Sequence, residues 1–344
     1  MWILSLVIVA LMQGAGNQQP AAPEKSGGAP NVQVPHAAAD ILRRAAETNG
    51  LDAASAKSWH VKFSFDQFDD EGDNTHSGTV EEFYVGPKKW KRIFESDTTK
   101  QTDIASGSGL YRSGDQRWLS PVEMRMLDAV FHPLDPAHWE RFPHSAEKKE
   151  RQVGGVRLNC VEIQRTDRGL VFSPGPAFCF DPNSVALRYV RENLAFEATY
   201  NEIVPFQGHY VARKITLTRG GRKYLSIQVG LLEESPKVDD SFFAPAPDSV
   251  GPLGGRIALS SGILMDYLLS HPDPVYPSGA EGKVNVRFVV GKDGHVIEAT
   301  ALDGPERLRK PVVETVRKYR FRPFMVLDQP VEVESSTSLE VHSR

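Results

Sequence analysis

From Trp59 to Leu232 the chain returns repeatedly to one pattern, apolar and polar residues in turn, and this period of two constrains the fold more than any other feature. The runs WHVKFSF (59–65), GTVEEFYV (78–85), KWKRIFE (89–95), VRLNCVEI (156–163), ALRYVRE (186–192), FEATYNEI (196–203), YVARKITLT (210–218) and KYLSIQVGLL (223–232) mostly alternate. Successive side chains of a strand point to opposite faces, so each run predicts a strand with one buried face. The links between them, among them DDEGDN, GPKK and Gly220-Gly221, are turn-like. Strands joined by short turns predict one large, curved antiparallel sheet, packed on one face and solvated on the other. Two segments break the pattern. AAADILRRAAETN (37–49) sets Ile41, Leu42, Ala45 and Ala46 on one helical face and stops at Gly50. PVEMRMLDAVF (121–131) predicts a second short helix lying across the sheet.

With 344 residues, 40% of them apolar and 24% charged, the chain has material for about two domains. A formal charge of −4 gives no global basic field, which argues against nucleic acid as a partner. Residues 1–16 open with an apolar run, Met1 to Met12, shorter than the roughly 20 residues that span a bilayer. Small residues follow it, as at the end of a signal peptide, while no Lys or Arg precedes it. The segment therefore predicts export, as a cleaved signal or as a short inner-membrane anchor, and a periplasmic location. Residues 17–36, rich in Gln, Pro, Ala and Gly, predict a disordered tether.

Cys160 and Cys179 are the two cysteines of the chain. In an exported protein a sparse, even count favours one disulfide, and the strand-like runs LNCVEI and AFCFD could bring the pair together. Two buried free thiols are the other reading. No CxxC or HxxxH spacing accompanies them, which disfavours zinc.

The sheet domain is expected over 37–247, followed by a Pro/Gly/Ser-rich linker at 248–262 and a second domain at 263–344. The apolar stretch ILMDYLL (263–269) is expected to dock on one of the two. Further on, Tyr276, Pro277 and Gly282 precede KVNVRFVVGKDGHVIEATALDGP, where Val284, Val286, Phe288 and Val290 share one strand face. Asp293 and Gly294 supply a tight turn into a second strand beginning at Val296 and Ile297. Leu308, Val312, Val316 and Tyr319 then mark one face of a helix. Pro311 is expected in its first turn, with PERL a separate turn, because proline breaks a helix interior. Phe321 and Pro323 close an aromatic-x-aromatic-x-Pro ending, and VEVESSTSLEVH from Val331 reads as a third strand.

These residues resemble the C-terminal domain of TonB-type envelope proteins, over about residues 262–344. Tyr319 stands where that family usually has Trp, and only SGAE separates Pro277 from Gly282. The resemblance implies a small ββαβ fold whose third strand lies at the sheet edge and receives an extended segment of an envelope or outer-membrane protein. Its contact neighbourhood is then Val333, Ser335, Thr337 and Leu339, since an edge strand offers unpaired N–H and C=O groups. The anchor and the long Pro-Lys/Pro-Glu spacer of an energy-transducing TonB are not expected here, so energy transduction does not carry over. Residues 37–247, a helix, a run of meandering strands and a closing SFFAPAP (241–247), are similar to the half-barrel of LolA-like periplasmic lipoprotein carriers. That resemblance implies a concave face for lipid or lipoprotein acyl chains; an ordinary packed core is the other reading. The fold class is thus α+β.

Residues that carry chemistry are sparse. Asp69, Asp70, Glu71 and Asp73 do not follow the spacing of a calcium loop and read as a solvated hairpin tip. His132, His138 and His144 recur among prolines, as in an irregular loop. Ser106 and Ser108 sit in a Gly-rich turn without GxSxG, and no phosphate- or dinucleotide-binding fingerprint occurs. The basic residues from Arg307 to Arg322 read as the solvated face of the last helix. No cofactor is expected. The leading expectation is a non-enzymatic periplasmic binding protein, and the alternative is a lipid or lipoprotein carrier.

Overall fold

In the computed structural model the alternating runs pair with their sequence neighbours, because short turns make an antiparallel hairpin the nearest available partner. The structure describes residues 37–51, 57–107, 109–134, 144–167, 170–172, 175–192, 195–251, 256–259, 264, 267–272, 276–327 and 329–342. The leading segment, the tether, Ser108, His138 and the side chain of His144 lie outside that description.

The first sheet comprises β1 (Trp59–Phe68), β2 (Asn74–Gly86), β3 (Lys89–Ser96), β4 (Lys100–Ser106), β5 (Gly109–Gly114), β6 (His144–Val153), β7 (Val156–Asp167), β8 (Leu170–Phe172), β9 (Ala177–Phe180), β10 (Leu187–Arg191), β11 (Phe196–Phe206), β12 (His209–Arg219) and β13 (Arg222–Glu234). It is a 13-stranded sheet in the order β5-β4-β3-β2-β1-β13-β12-β11-β10-β9-β7-β6, with β8 on β7. β1 and β13 meet in the middle, Trp59 opposite Glu234, so the sheet stays open with β5 and β6 at its ends.

One face is covered by α1 (Ala38–Thr48) and α2 (Pro121–Phe131). Ile41, Leu42 and Ala45 of α1, and Met126, Leu127, Val130 and Phe131 of α2, are buried in one core with Val61, Phe63 and Phe65. The Trp59 ring lies between Tyr84 and Phe131, at centroid distances of 4.7 and 5.4 Å. α2 begins where the sequence places it because Ser120 and Glu123 form a reciprocal cap ahead of Pro121. On the opposite face Cys160 and Cys179 stand directly across from each other on β7 and β9 and form a disulfide, S–S 2.05 Å and Cα–Cα 3.9 Å.

SFFAPAP does not add a strand. Asp240–Phe243 is a 3-10 turn whose Phe242 packs edge-on against Phe83, 4.9 Å away, on the face that carries His60. The chain then reaches the edge of β5, where Arg112 and Val250 exchange backbone hydrogen bonds of 2.9 and 2.7 Å. The buried Arg112 side chain holds that edge from within. Its Nε and Nη2 donate to the two Asp103 oxygens at 2.7 Å each, and Nη1 donates to the Arg117 carbonyl at 2.8 Å.

The second sheet follows: β14 (Arg256–Ala258), β16 (Glu281–Val290), β17 (Val296–Ala301), β19 (Phe324–Val326) and β20 (Gln329–His342), with β15 (Leu268–Ser270) paired to β18 (Arg320–Phe321) beside it. Its order is β14-β20-β16-β17, and β19 also pairs with β20. Val284, Val286, Phe288 and Val290 bury one face under α3 (Glu306–Val316), which contributes Leu308, Val312 and Val316. Pro311 lies inside α3, and Glu306 to Leu308 of PERL belong to the same helix with Pro305 as its N-cap, a correction to the expected break. A proline there costs about 3 kcal/mol. Burying Leu308, Val312 and Val316 at roughly 1.5–3 kcal/mol each offsets that cost. From ILMDYLL, Leu264 is buried in this second core and Tyr267 and Leu268 pack on it, as do Trp118 and Met124 from the first sheet's side.

Candidate functional site

β20 is the element on which the resemblance places binding, and its two sides differ. Along its inner side it pairs antiparallel with β16 from Glu281 opposite His342 to Val290 opposite Val333. β19 folds back on the start of the strand, Phe324 to Val326 against Gln329 to Val331. Along its outer side β14 lies parallel to it, Arg256, Ile257 and Ala258 against Glu332, Val333 and Glu334. The Leu259 amide donates to the Glu334 carbonyl at 2.9 Å, and the Ser335 hydroxyl donates to the Leu259 carbonyl at 2.8 Å. From Ser336 to His342, among the described residues, β20 has no strand partner on this side.

The four expected contact residues therefore divide. Val333 and Ser335 are buried where β14 runs alongside the strand. Thr337 and Leu339 lie in the uncovered half and are half-buried. The cause is in the linker. RIAL alternates apolar Ile257 and Leu259 with polar or small residues, and both bury into the second core. Arg256 fixes the segment at the surface. Its Nη2 and Nη1 donate to the Glu298 oxygens at 2.6 and 3.2 Å, and its Nε donates to Glu332 Oε2 at 3.2 Å. The hydrogen bond from Arg256 holds the Glu298 carboxyl below the ordinary glutamate range. Sequence reasoning passed over these residues because Pro and Gly surround them; the one signal was the Ile-x-Leu spacing.

The motif residues support the edge without lining it. Asp293 Oδ1 accepts from the His295 amide at 3.0 Å, which closes the turn and holds its carboxyl below the usual aspartate range. Gly294, at φ +82°, sits so close to β18 that a Cβ would be 1.9 Å from the Phe321 carbonyl oxygen, and the Phe321 amide donates back to Gly294 at 2.9 Å. The Phe321 ring stacks on Phe288, centroids 5.8 Å apart. Gly282, at φ +142°, leaves room for Pro305, whose Cγ would be 2.7 Å from a Cβ there. The Pro277 carbonyl accepts from the Ala280 amide at 3.1 Å, Tyr276 packs on the second core, and Pro323 is exposed.

The acidic hairpin tip is engaged with its own neighbours. Asp69 Oδ1 accepts from the amides of Glu71, Gly72 and Asp73 at 3.1, 2.9 and 2.8 Å, a hairpin tip tied to its own backbone. A cavity of about 10 Å³ lies under α2, lined by Asn49, Ala129, Tyr200, Ile203, Tyr210 and Ala212. That holds about one water, whereas ligand pockets run to several hundred Å³. α1 and α2 pack on this inner face, in one core with Val61, Phe63 and Phe65. What the β20 edge offers chemically is main-chain pairing: donors and acceptors for an extended segment.

Comparison with known proteins bears on the same region. No curated protein matches the chain. Among solved structures, a LolA superfamily protein from Nitrosomonas europaea is similar at 10% identity and a TM-score of 0.40, over 61% of this chain and 98% of its own. A DUF1329 family protein from Desulfovibrio piger is similar at 11% identity and 0.39, over 60% and 95%. The Pseudomonas aeruginosa MucA/MucB complex is similar at 13% identity and 0.25, over 83% and 99%. At such scores these likenesses carry no functional weight. Residues 271–340, from before β16 through most of β20, match the family described as Gram-negative bacterial TonB protein C-terminal.

Proposed function

We propose that this chain is a non-enzymatic binding protein of the periplasm, whose second sheet receives an extended segment of an envelope or outer-membrane protein along the outer side of β20. The observation that carries the reading is the uncovered run Ser336–His342 within a region that matches a TonB C-terminal family. An added strand satisfies its main-chain donors and acceptors without special side chains. The sheet of β1–β13 then acts as a second binding or positioning body. The packing of α1 and α2 onto the inner face weighs against the carrier alternative, which needs room for an acyl chain. The experiment places a photo-crosslinking residue at Ser338, or at Thr300 on the far edge strand β17, in the full chain expressed in cells. Crosslinks to an envelope protein from Ser338 and not from Thr300 are expected; the reverse pattern, or none from either, overturns the proposal. If organic extraction of the purified, folded protein returned stoichiometric lipid, the carrier reading would replace it.

A further inference from the structure

We infer that the outer side of β20 from Glu332 to Ser335 is itself a peptide-accepting site, that the chain's own segment Arg256–Leu259 occupies it as a stand-in, and that a partner segment of the same chemistry exchanges with it. This rests on the reading that the module binds extended segments, and it names the class of segment: an arginine followed by two apolar residues at alternate positions, laid parallel to β20.

Each part of that description comes from the occupant. Ile257 opposes Val333 and Leu259 lies beside Ser335, and both side chains are buried, so the two positions accept apolar side chains. Two carboxylates, Glu298 on β17 and Glu332 on β20, face one guanidinium, and its fork matches the pair as a lone ammonium does not. Ala258 between them is exposed, so its position has no side-chain requirement. Orientation follows from the parallel register.

The hold on the segment suits exchange. Among the described residues Arg256, Ile257 and Ala258 are in register with β20, extended by one backbone bond from Leu259 and one hydroxyl bond from Ser335. The Arg256 ion pairs are exposed, and such pairs add little. An incoming segment with the same groups replaces every contact it removes. It then competes only with the tethering of the native segment, an effective concentration on the order of millimolar for a short flexible link. Because Val250, six residues before Arg256, is paired to Arg112 of β5, exchange at β20 also slackens the link between the two sheets.

The test uses the purified full chain and a fluorescent synthetic peptide copying residues 254–261, Gly-Gly-Arg-Ile-Ala-Leu-Ser-Ser. The native chain is compared with the double variant Ile257→Ser/Leu259→Ser, which disables the occupant. Binding to the folded double variant at least tenfold tighter than to the native chain is expected, with most of it lost when the peptide's arginine is replaced by glutamate. A folded double variant that does not bind, or equal binding by both proteins, overturns the inference. In case the double variant does not fold, hydrogen exchange on the native chain decides. The Leu259 amide is expected to exchange through a local opening insensitive to mild denaturant, while Phe288 in β16 exchanges only with the whole sheet. Exchange of Leu259 only with the whole sheet makes the segment a fixed part of the fold and overturns the inference. Neither readout needs an envelope partner, so a failed crosslink from Ser338 and a failed peptide exchange are separate results.

Discussion

Replacing Cys160 and Cys179 by alanine together removes a bridge between residues 19 apart on paired strands, and the size of the loss can be worked from that separation. Closing a loop of this length lowers the entropy of the unfolded chain by about 11 cal/mol/K, or about 3.3 kcal/mol near 25 °C. The first sheet and its helices run from Ala38 to Phe243, roughly 200 residues. At about 2.1 cal/mol/K per residue their unfolding entropy makes 3.3 kcal/mol equal to a fall of about 8 °C in midpoint. Scanning calorimetry of the native chain and of Cys160→Ala/Cys179→Ala measures this directly. The double variant is preferable to a reductant, because both sulfurs are fully buried and reductant reaches them only after the sheet opens. Any separate transition of the second sheet stays where it was and serves as an internal reference. A folded double variant whose midpoint lies within ~2 °C of the native value refutes the loop-closure account of the bridge.

Other substitutions test the supports of the edge. Gly294→Ala sets a methyl 1.9 Å from the Phe321 carbonyl at a left-handed φ, so urea denaturation is expected to show a loss of about 3 kcal/mol or more; a loss below 1 kcal/mol contradicts the close approach. Arg112→Ala leaves Asp103 buried and unpaired, an expected cost of about 3–5 kcal/mol, and Arg112→Met with Asp103→Leu is expected to recover most of it; no recovery means the pair does more than neutralise itself. Acid is expected to loosen the Arg256 clasp. The hydrogen bond from Arg256 depresses Glu298, so its contribution is fully present above the ordinary glutamate value near 4.3 and is lost as pH falls through the lower folded value. After correction for intrinsic rates, protection of the Leu259 amide is expected to hold down to about pH 4.3 and to fall below it, and unchanged protection at lower pH refutes the role of the clasp.

Much of this architecture is legible in the residues themselves. Ile41, Leu42 and Ala45 announce α1, the box Ser120-x-x-Glu123 fixes the start of α2, and Val284, Val286, Phe288 and Val290 place β16 and its buried face. The strands that escape are those whose buried positions are polar or whose surface is charged. β4 and β5 bury Gln101, Asp103 and Arg112, which cancels the apolar signal. β6, HSAEKKERQV, is an edge strand dressed in charge, the composition that keeps an edge from pairing with other chains. Pro311 misleads because local propensity favours a break while the packing of Leu308 and Val312 holds the helix through it. The partly covered edge was least legible of all. Tertiary burial of Ile257 and Leu259 decides where a short run between Pro252 and Ser260 docks, and composition points the other way.

The central claim is that the outer side of β20 is open from Ser336 to His342 and closed from Glu332 to Ser335, and amide hydrogen exchange of the full chain measures this residue by residue. The outward-facing amides of the 336–342 run are expected to exchange within seconds while those of the 332–335 run are protected. Equal, strong protection along the whole strand means that something already covers the edge, and contradicts the account.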